Sequence, residues 1–178
     1  LYEATLGDPQ KAAQVYRETL DVDQSNVQAM RGLARTCEVL EQWSDLVKVL
    51  EQQLDVVTTE RERIEVLMQL ANLQEEHFLK SDIAAQRLEQ VVEIDPSHEE
   101  AYTALERNYR KMRQWHELVQ IYERHILVMF DRKTKVELYG YVAQVQADEI
   151  GDADKAIEAY TNIVDLEDTN VPALDVLS

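Results

Sequence analysis

The chain has 178 residues, 45% of them hydrophobic, with four Gly, three Pro and a single Cys. That composition supports a real core and favours long helices with short turns over a sheet protein or a disordered chain. Asp and Glu total 35 against 18 Lys and Arg, a formal net charge of −17, which repels nucleic acid and anionic membrane at long range. No apolar run reaches the ~18 residues that a membrane-spanning helix needs, and the lone Cys37 excludes an internal disulfide framework. The expectation is a water-soluble protein, with the cytoplasm the favoured compartment.

In chain order, Leu1 to Leu6 reads as the end of a helix. Gly7 stops it, and Asp8-Pro9 opens the next, running to about Val22 with Ala12, Ala13, Tyr16 and Leu20 inward. Ser25, with Gln28 three residues on, is read as the cap of a helix to about Leu40. A further helix covers about Ser44 to Val57, with Leu46, Val47, Leu50 and Leu54 as its apolar stripe. Thr59 and Glu62 form a capping-box pattern ahead of a longer helix to about Leu79. Ser81-Asp82 restart the chain, which runs to Ile94-Asp95, where Pro96 cannot continue a helix. Ser97 with Glu100 is read as the next cap, and helices follow over about 97–112 and 115–129. Asp131 caps a long helix to Ile150, Gly151-Asp152 break it, and Asp154 to Leu166 and Thr169 to Ser178 complete the set. About nine helices are expected, with no strand.

The chain repeats itself. Val22, Asp23, Ser25, Ala29, Leu33, Arg35 and Trp43 correspond without a gap to Ile94, Asp95, Ser97, Ala101, Leu105, Arg107 and Trp115, 72 residues later. A finer division appears in Ala12, Leu46, Ala84, Leu118 and Ala156, whose separations alternate between 34 and 38. A fixed period of this kind is the signature of stacked helical hairpins, each burying its apolar face against its neighbours.

Over Ala84 to Tyr109 the residues Ala84, Leu88, Pro96, Ala101, Tyr102, Leu105 and Tyr109 fill the small, aliphatic or aromatic, and proline slots of the tetratricopeptide repeat, which the chain resembles over nearly its whole length. Segments 8–37 and 152–177 match in the same way without the proline, the usual family glycine is replaced by Ala34 and Glu106, and Gly140 retains it. The resemblance implies an all-α fold: a right-handed α-α superhelix of antiparallel helix pairs, the first helix of each pair lining a concave side. It also implies a non-catalytic scaffold that binds a protein or peptide there. The helix pairs are placed at roughly 26–57, 59–94, 97–129 and 131–166 of a single repeat domain, with partial helices at both ends, and the whole is read as a segment of a longer repeat protein.

On that resemblance the groove-facing stripe of the short first helices is Gln28, Arg31, Arg35, Glu38, Val39 and Glu100, Thr103, Arg107, Arg110, Lys111. The long helices place Glu62, Glu65, Gln69, Asn72, Leu73 and Thr134, Glu137, Tyr141, Gln144, Val145 there. The candidate partner-binding residues are therefore Arg31, Arg35, Gln69, Arg107, Arg110, Lys111 and Tyr141. The competing reading is that these Arg residues only pair with neighbouring Glu on a solvated surface. The family's Lys and Asn clamp for a terminal carboxylate lacks its Asn here.

No arrangement of catalytic side chains emerges. His77, His98, His116 and His125 are scattered, with no metal-ligand spacing and no glycine-rich phosphate loop. Neither metal nor cofactor is expected, and the chain is read as a non-enzyme. Trp43 and Trp115, in the same register, are expected to pack at helix-pair turns. A second reading is self-association, with the end segments Leu1–Leu6 and Ala173–Leu177 stacking weakly between molecules. RNA binding is disfavoured by the charge.

Overall fold

A computed structural model of the protein describes residues 8–177. The expected first helix end, Leu1 to Leu6, lies outside them. Ten α-helices follow in order: α1 (Pro9–Val22), α2 (Val27–Val39), α3 (Trp43–Val56), α4 (Glu60–Glu76), α5 (Ser81–Ile94), α6 (Glu99–Met112), α7 (Trp115–Val128), α8 (Arg132–Val145), α9 (Ala153–Leu166) and α10 (Val171–Leu177). A π-helical turn, Gln146–Ile150, continues α8. The described residues contain no strand. They hold ten helices, one for each segment read from residue 8 onward, against the expected total of about nine.

Most starts follow the sequence reading. Asp8 accepts hydrogen bonds from the Gln10 and Lys11 backbone N–H groups, with Pro9 at the first helical position. Thr59 accepts from the N–H of Glu62, and its hydroxyl donates back to the Glu62 carboxylate at 2.7 Å. Asp131 accepts from the Thr134 N–H at 2.8 Å and from its hydroxyl at 2.7 Å. Two caps differ. The caps of α2 and α6 are Asn26 and His98, not Ser25 and Ser97: Asn26 Oδ1 accepts from Ala29 N–H, and His98 Nδ1 from Ala101 N–H. Each serine instead donates its hydroxyl to an aspartate two residues earlier, Asp23 or Asp95, so it belongs to the turn. An Asx turn takes the serine and moves the cap one residue on.

The stops carry the period in the backbone. Glu41 and Arg113, 72 residues apart, both adopt φ near +55°, at 54° and 55°, and Leu79 and Gly151, also 72 apart, are left-handed too, at 54° and 79°. Behind each, an N–H reaches back over the helix end: Gln42 to Cys37 C=O and Gln114 to Tyr109 C=O, Lys80 to Gln74 C=O and Asp152 to Gln146 C=O. These bonds satisfy carbonyls that a helix end leaves free. The expected extra turn of the long helices is present as the 17-residue α4 and as the π turn after α8.

The chain forms two compact units, one ending at Arg87 and one beginning at Leu88, within α5. In the first, α1, α2, α3 and α4 contact one another in sequence. Its core holds Ala12, Ala13, Met30, Leu33, Cys37, Leu50, Leu67 and Leu70. Gly32 lets the Tyr16 ring lie directly on α2: a Cβ there would stand 2.3 Å from the ring. In the second unit α6, α7, α8, α9 and α10 contact in sequence around Leu105, Leu118, Ile121, Val142, Ala156 and Ile163. Burying such faces is the main driving force for hairpins of this length.

Candidate functional site

In the first unit, α2 and α4 flank α3 and leave a cavity of about 450 Å³. Three expected site residues line it: Arg31, Arg35 and Gln69. Arg31 is half-buried and donates to the Glu62 carboxylate at 2.7 Å, tying α2 to α4. That contact also holds the Glu62 carboxyl below its usual range, after the larger effect of the Thr59 hydroxyl. Glu38, Glu65 and Asn72 add polar groups, and Leu46 and Leu50 form an apolar floor.

Trp43 is half-buried at the mouth of this cavity and stacks on His77, with ring centroids 3.7 Å apart and planes 12° from parallel. It lines the cavity along with His77. The stack ties the start of α3 to the end of α4. Trp115 is likewise half-buried. Both tryptophans sit at helix-pair turns, as their register implies, but neither is fully in the core.

The second unit repeats the cavity with other side chains. Between α6 and α8, over α7, lies a space of about 180 Å³ lined by Glu99, Thr103, Tyr122, His125, Glu137 and Tyr141, among others. Tyr141 occupies the slot of Gln69, and its ring is exposed at 43% and tilted against Tyr122 at 5.6 Å. Arg110 donates to Glu106 at 3.0 Å and to the Tyr122 hydroxyl at 3.1 Å. Burial raises the Tyr122 phenol above its ordinary range, and the hydrogen bond to Glu106 raises it further. Arg110 thus supports the cavity wall. Arg107 and Lys111 are exposed on α6 and line neither cavity. Of the other groove-stripe residues, Val39 is exposed, while Val145 and its equivalent Leu73 are buried, at 2% and 8%.

Sequence reasoning missed His125. It is 7% exposed and stacks on Tyr102 at 4.0 Å, 6° from parallel. The signal was available: His125 stands 72 residues after Gln53, and both are buried polar residues in an otherwise apolar helix face. Gln74 and Gln146 form a second such pair. No group of His, Cys, Asp and Glu suited to a metal ion occurs among the described residues. No described helix is long and apolar enough to cross a membrane.

Sequential helical hairpins with recurring left-handed stops define a helical-repeat protein of the all-α, superhelical class. The tetratricopeptide repeat family model matches residues 29–64 and 101–136, two segments in identical register. Over those two segments the chain carries tetratricopeptide repeats. Among solved structures it is similar to MamA, with a TM-score of 0.55 and 19% identity over 96% of this chain and 89% of that one. It is also similar to YrrB, described as a TPR protein with an unusual peptide-binding site, with a TM-score of 0.56 and 15% identity over 98% and 86%. A third is the C-terminal part of a TPR repeat-containing protein from Cytophaga hutchinsonii, with a TM-score of 0.53 and 20% identity over 93% and 66%. At these identities the likeness is one of fold. No curated protein matches the sequence.

Proposed function

We propose that the chain is a non-catalytic protein-interaction scaffold that takes partner segments in the cavities between its first helices. The observation that carries this reading is the convergence of Arg31, Arg35 and Gln69 on the 450 Å³ cavity of the first unit. Cations within a body of net charge −17 attract acidic groups locally while the body repels unsuitable partners, an arrangement that tunes specificity and association rate. Leu46 and Leu50 beneath them suit apolar side chains of the same segment. Tyr141 supplies an aromatic anchor in the second unit, and Arg107, Arg110 and Lys111 present further positive charge on α6. The arginine pairing with Glu62 and Glu106 lowers the free charge, yet these pairs are partly exposed and cost little to open.

The test is Arg35→Glu with Arg107→Glu, in protein of unchanged helicity and melting temperature. Capture of partners that the parent retains at physiological salt should drop sharply. Retention of the same partners with the same salt sensitivity would reduce these arginines to solvated surface.

Self-association is favoured by one observation: α10 exposes Val171 at 62%, Val176 at 52% and Leu174 at 40%. Sedimentation at rising concentration, in salt that screens the charge, should then show reversible dimers that Val171→Ser with Val176→Ser abolishes. The parent remaining monomeric throughout would remove this reading.

A further inference from the structure

The two cavities occupy the same slot of the 72-residue period, yet arginines line only the first. Arg31 is replaced by Thr103, Ala34 by Glu106, Gln69 by Tyr141, Leu50 by Tyr122 and Gln53 by His125, while Glu65 is kept as Glu137. No Lys or Arg lines the cavity of the second unit. Glu106 is already engaged by Arg110 and by Tyr122. Glu99 and Glu137 remain, both more than half exposed, at 64% and 55%, and Glu137 is only loosely approached by Lys133 at 3.8 Å.

At the floor lies an unmet hydrogen-bonding group. His125 Nε2 is buried and has no hydrogen-bond partner. The Glu99 carboxylate is 3.4 Å away without the alignment of a hydrogen bond. Leaving a buried polar nitrogen unmatched is costly, and the His125 side chain lines this cavity. An imidazole nitrogen that carries no proton accepts from a donor. The Tyr141 and Tyr122 rings, tilted on each other at 5.6 Å, line the same cavity, and aromatic faces attract cations.

We propose that this cavity receives one Lys or Arg side chain of a protein partner. Its alkyl stem lies along Tyr141 and Leu138. Its cationic head donates to His125 Nε2 and to the Glu99 and Glu137 carboxylates. The proposal rests on the scaffold reading above and adds the chemistry of one residue of the partner. With the arginines that line the first unit's cavity beside Glu38, Glu65 and Glu76, it makes the preferred partner one that carries both signs of charge.

The experiment uses the whole chain and synthetic decapeptides of Ser and Leu with Lys, Arg, acetyl-lysine or Glu at the centre, followed by the ring signals of His125 and Tyr141 in NMR spectra. Lys and Arg peptides should shift both rings saturably, and the acetyl-lysine and Glu peptides should bind about tenfold more weakly or not at all. Tyr141→Gln and His125→Gln install the residues of the first unit's slot. Each should weaken the Lys peptide about tenfold at unchanged helicity. Equal binding of acetyl-lysine, no ring shifts, or indifference to both variants would overturn the proposal. If it fails while Arg35→Glu with Arg107→Glu still abolishes partner capture, only the cation pocket is wrong. If that capture is also unaffected, the scaffold reading fails with it.

Discussion

Leu79 and Gly151 stand 72 residues apart and close their helices with the same left-handed backbone, φ 54° and 79°. One position has the residue that this conformation favours and the other does not. A side chain in that region costs about 1–2 kcal/mol, and Leu79 gains little in return because 83% of it is exposed. Leu79→Gly should therefore stabilise the first unit by up to about 1 kcal/mol, after the entropy that glycine adds to the unfolded chain. Gly151→Leu should destabilise the second by about 1–2 kcal/mol, although nothing stands within 4 Å of a Cβ there. Urea titrations of the two variants decide it. A Leu79→Gly protein less stable than its parent would mean that this Leu makes contacts that outweigh its backbone strain.

Gly32 gives the opposite case, in which the limit is space. A methyl group would meet the Tyr16 ring at 2.3 Å, so Gly32→Ala must push the ring away from α2. A destabilisation of about 1–3 kcal/mol is expected, despite the better helix propensity of Ala. Adding Tyr16→Leu should recover part of it in a double-mutant cycle. Independent, additive effects would show that the ring does not set the limit.

Trp43 is a partly exposed clamp. Trp43→Ala should cost about 1–3 kcal/mol, below the 3–5 of a fully buried Trp, and His77→Ala should remove much of the same energy. A loss near zero on thermal unfolding would show that the stack with His77 is not formed in solution.

The caps carry a pH signature. The Asp131 carboxyl lies below its ordinary range because the Thr134 hydroxyl, then the Thr134 N–H, donates to its charged form. A carboxyl lowered in the folded state contributes stability above its unfolded value and loses it as pH falls through the folded value. Asp131→Ala should thus lower the melting temperature at neutral pH. Its deficit should shrink on acidification through the carboxylate range. A deficit independent of pH would mean that the carboxylate charge is not what caps α8.

Helices and their order were legible because Asp8, Thr59 and Asp131 signal locally and because Ala12, Leu46, Ala84, Leu118 and Ala156 recur at fixed intervals. The cap shift from Ser97 to His98 was not, because Asp95 and Ser97 form an Asx turn and imidazole is a rarer cap. At the site, Arg31 and Arg35 were legible as one stripe of α2, since helical periodicity fixes which residues share a face, while the resemblance set that stripe and Gln69 on the groove side. The partners across helices were not. Glu62 opposite Arg31, His77 on Trp43 and Tyr102 on His125 depend on how separate segments meet, which no single helix records.

The recurring left-handed stops at Glu41, Leu79, Arg113 and Gly151 also define seams. Between matching seams the backbone begins and ends alike, so the 42–79 and 114–151 stretches are interchangeable cassettes of equal length. Transplanting one into the other's position carries Gln53 and Gln69, or His125 and Tyr141, as a set while the hinges stay as they are. A chain of this kind can vary what it recognises one cassette at a time, like type reset in a fixed frame.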